Sequence, residues 1–151
     1  MFKILVVCTA NICRSPAGVQ FLRQRLDGNA VVVESAGTLA FDGNAADSTI
    51  QEMMLQRGYP GIEDHRSRAL MPSHLEKYDL VLCMERDHMD RVQRLSPYAS
   101  NKTRLFGQWE SQSEVDDPVG RSSGTYAKSL DIMQGMADQW AEKMLMMGMV
   151  K

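Results

Sequence analysis

The sequence predicts an α/β fold: a four-stranded parallel sheet with helices on both faces, three layers in all. Three observations predict it. Phe2–Val7 is a short, β-branched, nearly continuous apolar run, and strand-like segments recur at Val31–Val33, Asp79–Met84 and Thr103–Phe106. Runs of this kind, apolar without alternation, suit strands covered on both faces. Segments with helical spacing lie between them, and strand–helix alternation builds a parallel sheet with right-handed crossovers. With 151 residues, 44% hydrophobic and 24% charged, the chain has the size and balance of one globular domain spanning 1–151.

The elements come in order along the chain. Phe2 to Val7 reads as a central strand, and Thr9 to Arg14 as a loop. Ser15-Pro16 is a helix-start signature, with serine as cap and proline in the first turn. Ala17, Phe21, Leu22, Arg25 and Leu26 continue at helical spacing until Gly28-Asn29. Val31 to Val33 form the second strand, closed by Ser35-Ala36-Gly37. Asp47-Ser48 caps a helix from Thr49 to about Arg57, which Gly58-Tyr59-Pro60-Gly61 breaks. A short helix covers Pro72 to Lys77, Asp79 to Met84 is the third strand, and Arg86 to Leu95 the next helix. Thr103 to Phe106 is the fourth strand. A loop with Asp116, Asp117, Pro118 and Gly120 leads to the last helix, marked by Tyr126, Leu130, Met133, Ala137, Trp140 and Met144.

Several function classes drop out on composition. A formal net charge of -2 gives no electrostatic reason to expect nucleic acid or an anionic membrane as partner. No apolar segment approaches the roughly 20 residues a spanning helix needs, and the N-terminal run is too short for a signal peptide. Three cysteines, Cys8, Cys13 and Cys83, do not make a disulfide framework, and free thiols point to the cytoplasm. His74 and His88 have no neighbours at metal-ligand spacing; solvent-exposed or capping roles are expected, and no metal site. Met133, Met136, Met144, Met146, Met147 and Met149 read as a core face with a frayed end, and Trp109 and Trp140 as core.

In parallel α/β sheets, ligands bind beyond the carboxyl ends of the strands. There the chain places Cys8, Thr9, Ala10, Asn11, Ile12, Cys13, Arg14 and Ser15, a cysteine ending a strand and an arginine opening a helix. Backbone N–H groups of such a loop converge with the helix N-terminus into an anion site. Arg14 adds a planar fork that grips two phosphate oxygens. The same field favours a thiolate, which makes Cys8 a nucleophile beneath any bound phosphate. Ser15 is placed to donate a hydrogen bond to its sulfur. The Gly-Lys-Ser/Thr of a nucleotide-binding loop is absent.

These residues resemble the signature of the low-molecular-weight protein tyrosine phosphatases, and the resemblance runs over essentially the whole chain. Ser35-Ala36-Gly37-Thr38, His65-Arg66-Ser67-Arg68, Tyr78 to Met84 and Asp117-Pro118 stand in the family's order. The resemblance implies Cys8 as nucleophile and Arg14 as phosphate ligand. It implies Asn11, Ser15, Ser35 and His65 as supports of the loop, and Asp117 as general acid. It implies no cofactor. The substrate would be a phosphotyrosine protein, with inorganic phosphate or other oxyanions also held in the loop. Physical chemistry agrees that an acid is needed, since a tyrosine phenolate, pKa about 10, leaves poorly at neutral pH. Asp116, beside Asp117, reads as solvated.

The chain departs from the family after Asp117-Pro118, where relatives carry an aromatic residue and this sequence has Val119-Gly120. Phe41 falls where the family places a substrate-facing hydrophobic residue, with a partly buried loop aromatic as the other reading. Cys13 is implied as a redox partner of Cys8, with a plain core cysteine as the alternative. Cys83 reads as structural. Arsenate reductases that share the fold use a cysteine in this strand but need a further one after it, and none is present. A phosphoprotein-binding module without turnover is the alternative from another class. Leu105-Phe106-Gly107-Gln108-Trp109 resembles the bacterial branch that partners tyrosine autokinases in capsule and exopolysaccharide export.

Overall fold

The computed structural model describes residues 1–150. Four parallel strands form one sheet in the order β2-β1-β3-β4. They are β1 (Phe2–Cys8), β2 (Val31–Gly37), β3 (Leu80–Cys83) and β4 (Thr103–Leu105). Helices α1 (Arg14–Arg25), α2 (Ser48–Gln56), α3 (Pro72–Leu75), α4 (Arg86–Leu95) and α5 (Ser123–Met146) complete the fold.

Alternation along β1 separates the two cores. Ile4, Val6 and Cys8 face a large cluster with Phe21 and Leu22 of α1, Met54 of α2, and Leu130, Met133 and Trp140 of α5. Leu5 and Val7 face a smaller cluster with Val81, Cys83, Leu75 of α3 and Val92 of α4. Both faces of the sheet are therefore covered at its centre, as expected from the unbroken apolar run Ile4–Val7 of β1. The strand order reverses at β1, because the chain runs outward from β1 to β2 and then returns to β3 on the other side. The carboxyl end of β1 is thus the switch point, where loops diverge and leave a crevice.

Gly37 closes the crevice from the β2 side. A Cβ there would stand 2.4 Å from the carbonyl oxygen of Thr9, so only glycine permits the approach. The main chain then locks on: Thr38 N–H donates to Cys8 O and Leu39 N–H to Thr9 O, both at 2.9 Å. At the outer border of β2, Arg23 of α1 donates to Val33 O through Nε (3.0 Å) and Nη2 (2.7 Å), and Arg68 Nε donates to Ser35 O at 2.9 Å. The opposite border, β4, is only three residues long.

Some local expectations needed correction. Ser15 is not the cap of α1: Cys13 occupies that position without a side-chain bond, and Ser15 lies inside the first turn with its hydroxyl turned to Cys8. A tertiary partner outcompeted the local capping signal. Strand β2 continues through Ser35-Ala36-Gly37 instead of ending before it, because each of those residues pairs with β1. The α3 helix stops at Leu75. Pro60–Asp64 forms a short 3-10 helix where the sequence suggests a break, and Pro97–Lys102 forms another where no element is expected. Asp47 does cap α2, accepting from Ile50 N–H at 3.2 Å. Met133, Met136 and Met144 are buried, and Met146 and Met147 are exposed at the end of α5, as the spacing predicted. Trp140 is core, its Nε1–H donating to Phe106 O at 3.0 Å. Trp109 is not: it is 37% exposed, edge-on to Trp140, with the Lys143 ammonium 4.9 Å from its ring.

Candidate active site

The loop from Cys8 to Arg14 sits at the switch point with its polar interior fully engaged. Asn11 is its keystone. It is completely buried and takes φ 58°, a left-handed conformation that asparagine tolerates better than most residues. Its Nδ2 donates to Ser15 Oγ (2.7 Å) and to Ser35 Oγ (2.9 Å). Its Oδ1 accepts from Arg68 N–H at 2.9 Å, and its carbonyl accepts from His65 Nε2 at 2.6 Å. The last bond fixes the proton of His65 on Nε2. Burial, followed by Arg66 and Arg23, holds His65 below the usual imidazole range, so the neutral ring is favoured.

Ser15 Oγ lies 2.9 Å from Cys8 Sγ. Because Ser15 already accepts from Asn11, its own proton is free to point at the sulfur. The four loop-supporting residues expected from the sequence, Asn11, Ser15, Ser35 and His65, are therefore brought together in one network. Cys13 is buried and its thiol is pushed upward by burial and then by Cys8, so it stays protonated at neutral pH. Cys83 is fully buried and shifted the same way. All three cysteines are free thiols.

Arg14 is 2% exposed, an arginine buried at the mouth of an apolar core. Its Nη1 donates to Glu85 Oε2 (2.5 Å) and to Val115 O (2.7 Å), and its Nη2 donates to Thr9 Oγ1 (3.3 Å). Glu85 is the residue the sequence reading missed. It lies just past β3, which pairs with β1, so it arrives beside the loop at the same sheet edge. A buried arginine needs a carboxylate, and an acidic residue just past a neighbouring strand is the signal that would have supplied it. Of the two roles expected for His88, solvent-exposed or capping, the structure gives the second: it is buried. Its Nδ1 accepts from Glu85 N–H at 3.1 Å, capping α4, and its Nε2 lies 2.8 Å from Thr9 Oγ1. His74 caps α3 in the same way, accepting from Met71 N–H at 3.2 Å.

Asp116 and Asp117 lie on the loop between β4 and α5, and both are exposed. That loop is fastened at Val115, whose N–H donates to Met84 O (2.9 Å) and whose carbonyl accepts from Arg14. Asp117 stands two residues beyond that fastening and accepts from Val119 N–H at 3.0 Å. A cavity of about 520 Å³ opens on the α5 side of this loop, lined by Asp116, Asp117, Arg121, Thr125, Lys128 and Ser129. Phe41 is 81% exposed and Val119 42%. Phe41 is thus not a partly buried loop aromatic; the segment carrying it is tied to the loop through Leu39 N–H and to Ser67 through its own carbonyl (2.5 Å). Among the described residues no cluster of histidine, cysteine or carboxylate side chains is arranged to hold a metal ion. No helix there is long and apolar enough to cross a membrane.

A Cys-x5-Arg loop at the switch point of a parallel sheet, with a serine hydroxyl on the sulfur, defines a cysteine-based phosphomonoesterase. Comparison makes the class specific. The family model described as low molecular weight phosphotyrosine protein phosphatase matches residues 3–147, and the chain belongs to that family. It is similar to the low molecular weight protein-tyrosine-phosphatase Etp of Escherichia coli K12, with 38% identity over 94% of each chain. Vibrio vulnificus Wzb, solved in complex with benzylphosphonate, superposes with a TM-score of 0.89 at 36% identity, covering 94% of this chain and 98% of that one. The YwlE arginine phosphatase from Geobacillus stearothermophilus gives a TM-score of 0.90 at 30% identity, covering 99% and 96%.

Proposed function

We propose that the chain hydrolyses phosphotyrosine in proteins through a phosphocysteine on Cys8. The single observation that carries this reading is the contact between Ser15 Oγ and Cys8 Sγ at 2.9 Å, within a loop whose arginine is buried and oriented. The Cys8 thiolate attacks phosphorus while the bond to the tyrosine oxygen breaks and Asp117 supplies the proton. Water then attacks the phosphocysteine, Asp117 takes its proton, and the sulfur–phosphorus bond breaks to release phosphate. Loop N–H groups and Arg14 stabilise the equatorial oxygens in both steps, and Ser15 eases departure of the sulfur. Phe41 and Val119 line the slot that receives the ring. The reaction uses no cofactor.

The first test is hydrolysis of p-nitrophenyl phosphate at mildly acidic pH with chelator present. Turnover by the wild type and none by Cys8→Ser is the expected outcome. No turnover by either would leave a phosphoprotein-binding module instead.

The physiological substrate we propose is a bacterial tyrosine autokinase of capsule or exopolysaccharide synthesis, met in the cytoplasm. The relatives Etp and Wzb, both named as low molecular weight protein-tyrosine-phosphatases, support this. Dephosphorylation of a purified autokinase by this chain is the expected result. Inactivity there, beside good activity on aryl phosphates, would overturn the assignment. The likeness to an arginine phosphatase makes phosphoarginine the comparison substrate. Faster release from phosphoarginine than from phosphotyrosine would move the specificity to guanidine.

A further inference from the structure

We propose that His88 is a positioning residue for Arg14, acting through the hydroxyl of Thr9. The inference rests on the reading of Arg14 as the oxyanion ligand, and it adds a residue that the chemistry of the loop alone does not require.

The hydrogen-bond directions can be assigned in sequence. Glu85 N–H donates to His88 Nδ1, so that nitrogen carries a lone pair. The proton of the neutral ring is then on Nε2, which faces Thr9 Oγ1 at 2.8 Å and donates to it. Arg14 Nη2 donates to the same oxygen at 3.3 Å. A hydroxyl oxygen has two lone pairs, and both are now occupied. The proton of Thr9 is thereby turned away from Arg14, and a rotor that is ordinarily free has one permitted orientation.

This orientation matters because the two ends of the guanidinium are held unequally. Nη1 has two acceptors, the Glu85 carboxylate and Val115 O. Nη2 has Thr9 Oγ1 as its one partner among the described residues. Without the donor at His88, the threonine hydroxyl is free to rotate its proton toward Nη2, donor against donor, and the plane of the fork is fixed from one side only. Both protons of Nη1 are taken by those acceptors, so the fork left for phosphate is Nε with the second proton of Nη2, and its aim depends on how firmly Thr9 holds Nη2.

The surroundings keep His88 in the required form. It is 1% exposed, and the charged groups facing it are Arg14 of α1, Glu85 and Asp87 at the start of α4, and Glu114 of the acid loop. Burial first, and then Arg14, hold its imidazole below the usual range, outweighing the carboxylates. An imidazolium would in any case set a second proton against Glu85 N–H. The ring therefore has two separable duties: Nδ1 caps a helix, and Nε2 orients the loop.

A double-mutant cycle separates them. Tungstate binding, measured by calorimetry, reports the oxyanion grip without needing turnover. Each of His88→Phe and Thr9→Val is expected to weaken tungstate about five- to tenfold, and the double variant no further, since residues in one hydrogen-bond chain are not additive. His88→Phe alone is expected to lower the melting temperature through the lost cap, in either background at position 9. His88→Gln, with one acceptor for Glu85 N–H and one donor for Thr9, is expected to recover most of the affinity. Additive losses would overturn the proposal. So would unchanged tungstate affinity in Thr9→Val, a variant that keeps the shape of the side chain and leaves the cap alone. If Cys8→Ser and wild type hydrolysed p-nitrophenyl phosphate equally, the catalytic reading would fall while this cycle still reported on the grip.

Discussion

The loop from Cys8 to Ser15 and the loop from Asp116 to Arg121 are the two halves of one proposed reaction, yet they are built in opposite ways. In the first, Asn11, Arg14 and Ser15 are buried and bonded to fixed partners, and the backbone strain at Asn11 is held by four hydrogen bonds. In the second, both aspartates are exposed, and among the described residues Asp117 bonds only to the N–H two residues on. The contrast reflects the tasks. A nucleophile and an oxyanion cradle work by being preorganised. An acid that must give a proton in one step and take one in the next has to exchange it with water, and it works from an open edge.

Four experiments put that contrast to the test. Asp117→Ala is expected to have the largest effect, slowing kcat on a phosphotyrosine peptide by about 10²- to 10³-fold, the usual worth of a general acid. Its effect on p-nitrophenyl phosphate, with its better leaving group, should be far smaller, and Asp116→Ala should change either rate by about twofold or less. Equal losses at the two positions would show that the acid loop is not aimed by its sequence. Asn11→Ala comes next. It removes the side-chain bonds to Ser15, Ser35 and Arg68 and leaves alanine at φ 58°. A fall in kcat/KM of about 30-fold with a lower melting temperature is expected, in keeping with the loss of a buried polar network. Activity lost without any thermal effect would mean that the network serves chemistry alone.

A smaller effect is expected at Cys13. The sulfenic acid formed on Cys8 by peroxide should condense with the Cys13 thiol, releasing water and forming a disulfide that thiols reverse. Cys13→Ser should then lose activity irreversibly about fivefold faster under mild peroxide. Mass spectrometry that found Cys8 sulfonic acid in the wild type and no bridge would end that role. Val119→Tyr should have the smallest effect, lowering KM for aryl phosphates about threefold by adding one aromatic contact. An unchanged KM would remove position 119 from the slot.

The two halves also differed in how far the sequence revealed them. The phosphate loop was readable because its chemistry is local: one strand end, one helix start, and the residues between. Ser35 and His65 became assignable only through the family resemblance. The contacts of Glu85 with Arg14 and of His88 with Thr9 escaped because they depend on β3 lying beside β1, and nothing in a single sequence states strand order. The capping reading of Ser15 fails for the converse reason, while its expected contact with the Cys8 sulfur is present. Serine before proline is a sound capping signal, but the sulfur and the Asn11 amide offered the hydroxyl better partners than the helix did. Trp109 and Trp140 read alike in the sequence, but Trp140 places its N–H on the carbonyls of Leu105 and Phe106 while Trp109 packs edge-on against it and stays partly exposed. The two short 3-10 helices begin with proline, which marks a boundary but does not choose between a turn and a short helix on its far side.

The arginines along the outer rim of β2 have a consequence for the company the molecule keeps. An open sheet border is a template on which a stranger's backbone can continue the ladder, the first step toward filaments. Here Arg23 and Arg68 already occupy the outward carbonyls of Val33 and Ser35, and they set two positive charges along the rim. A second copy approaching edge to edge would have to displace both guanidinium groups and would meet its own like charges across the gap. The border at β4 offers only three residues to pair. With Gly37 also paired to Ala69, the β2 border is closed along its length to a neighbour's strand, which disfavours stacking in a crowded solution.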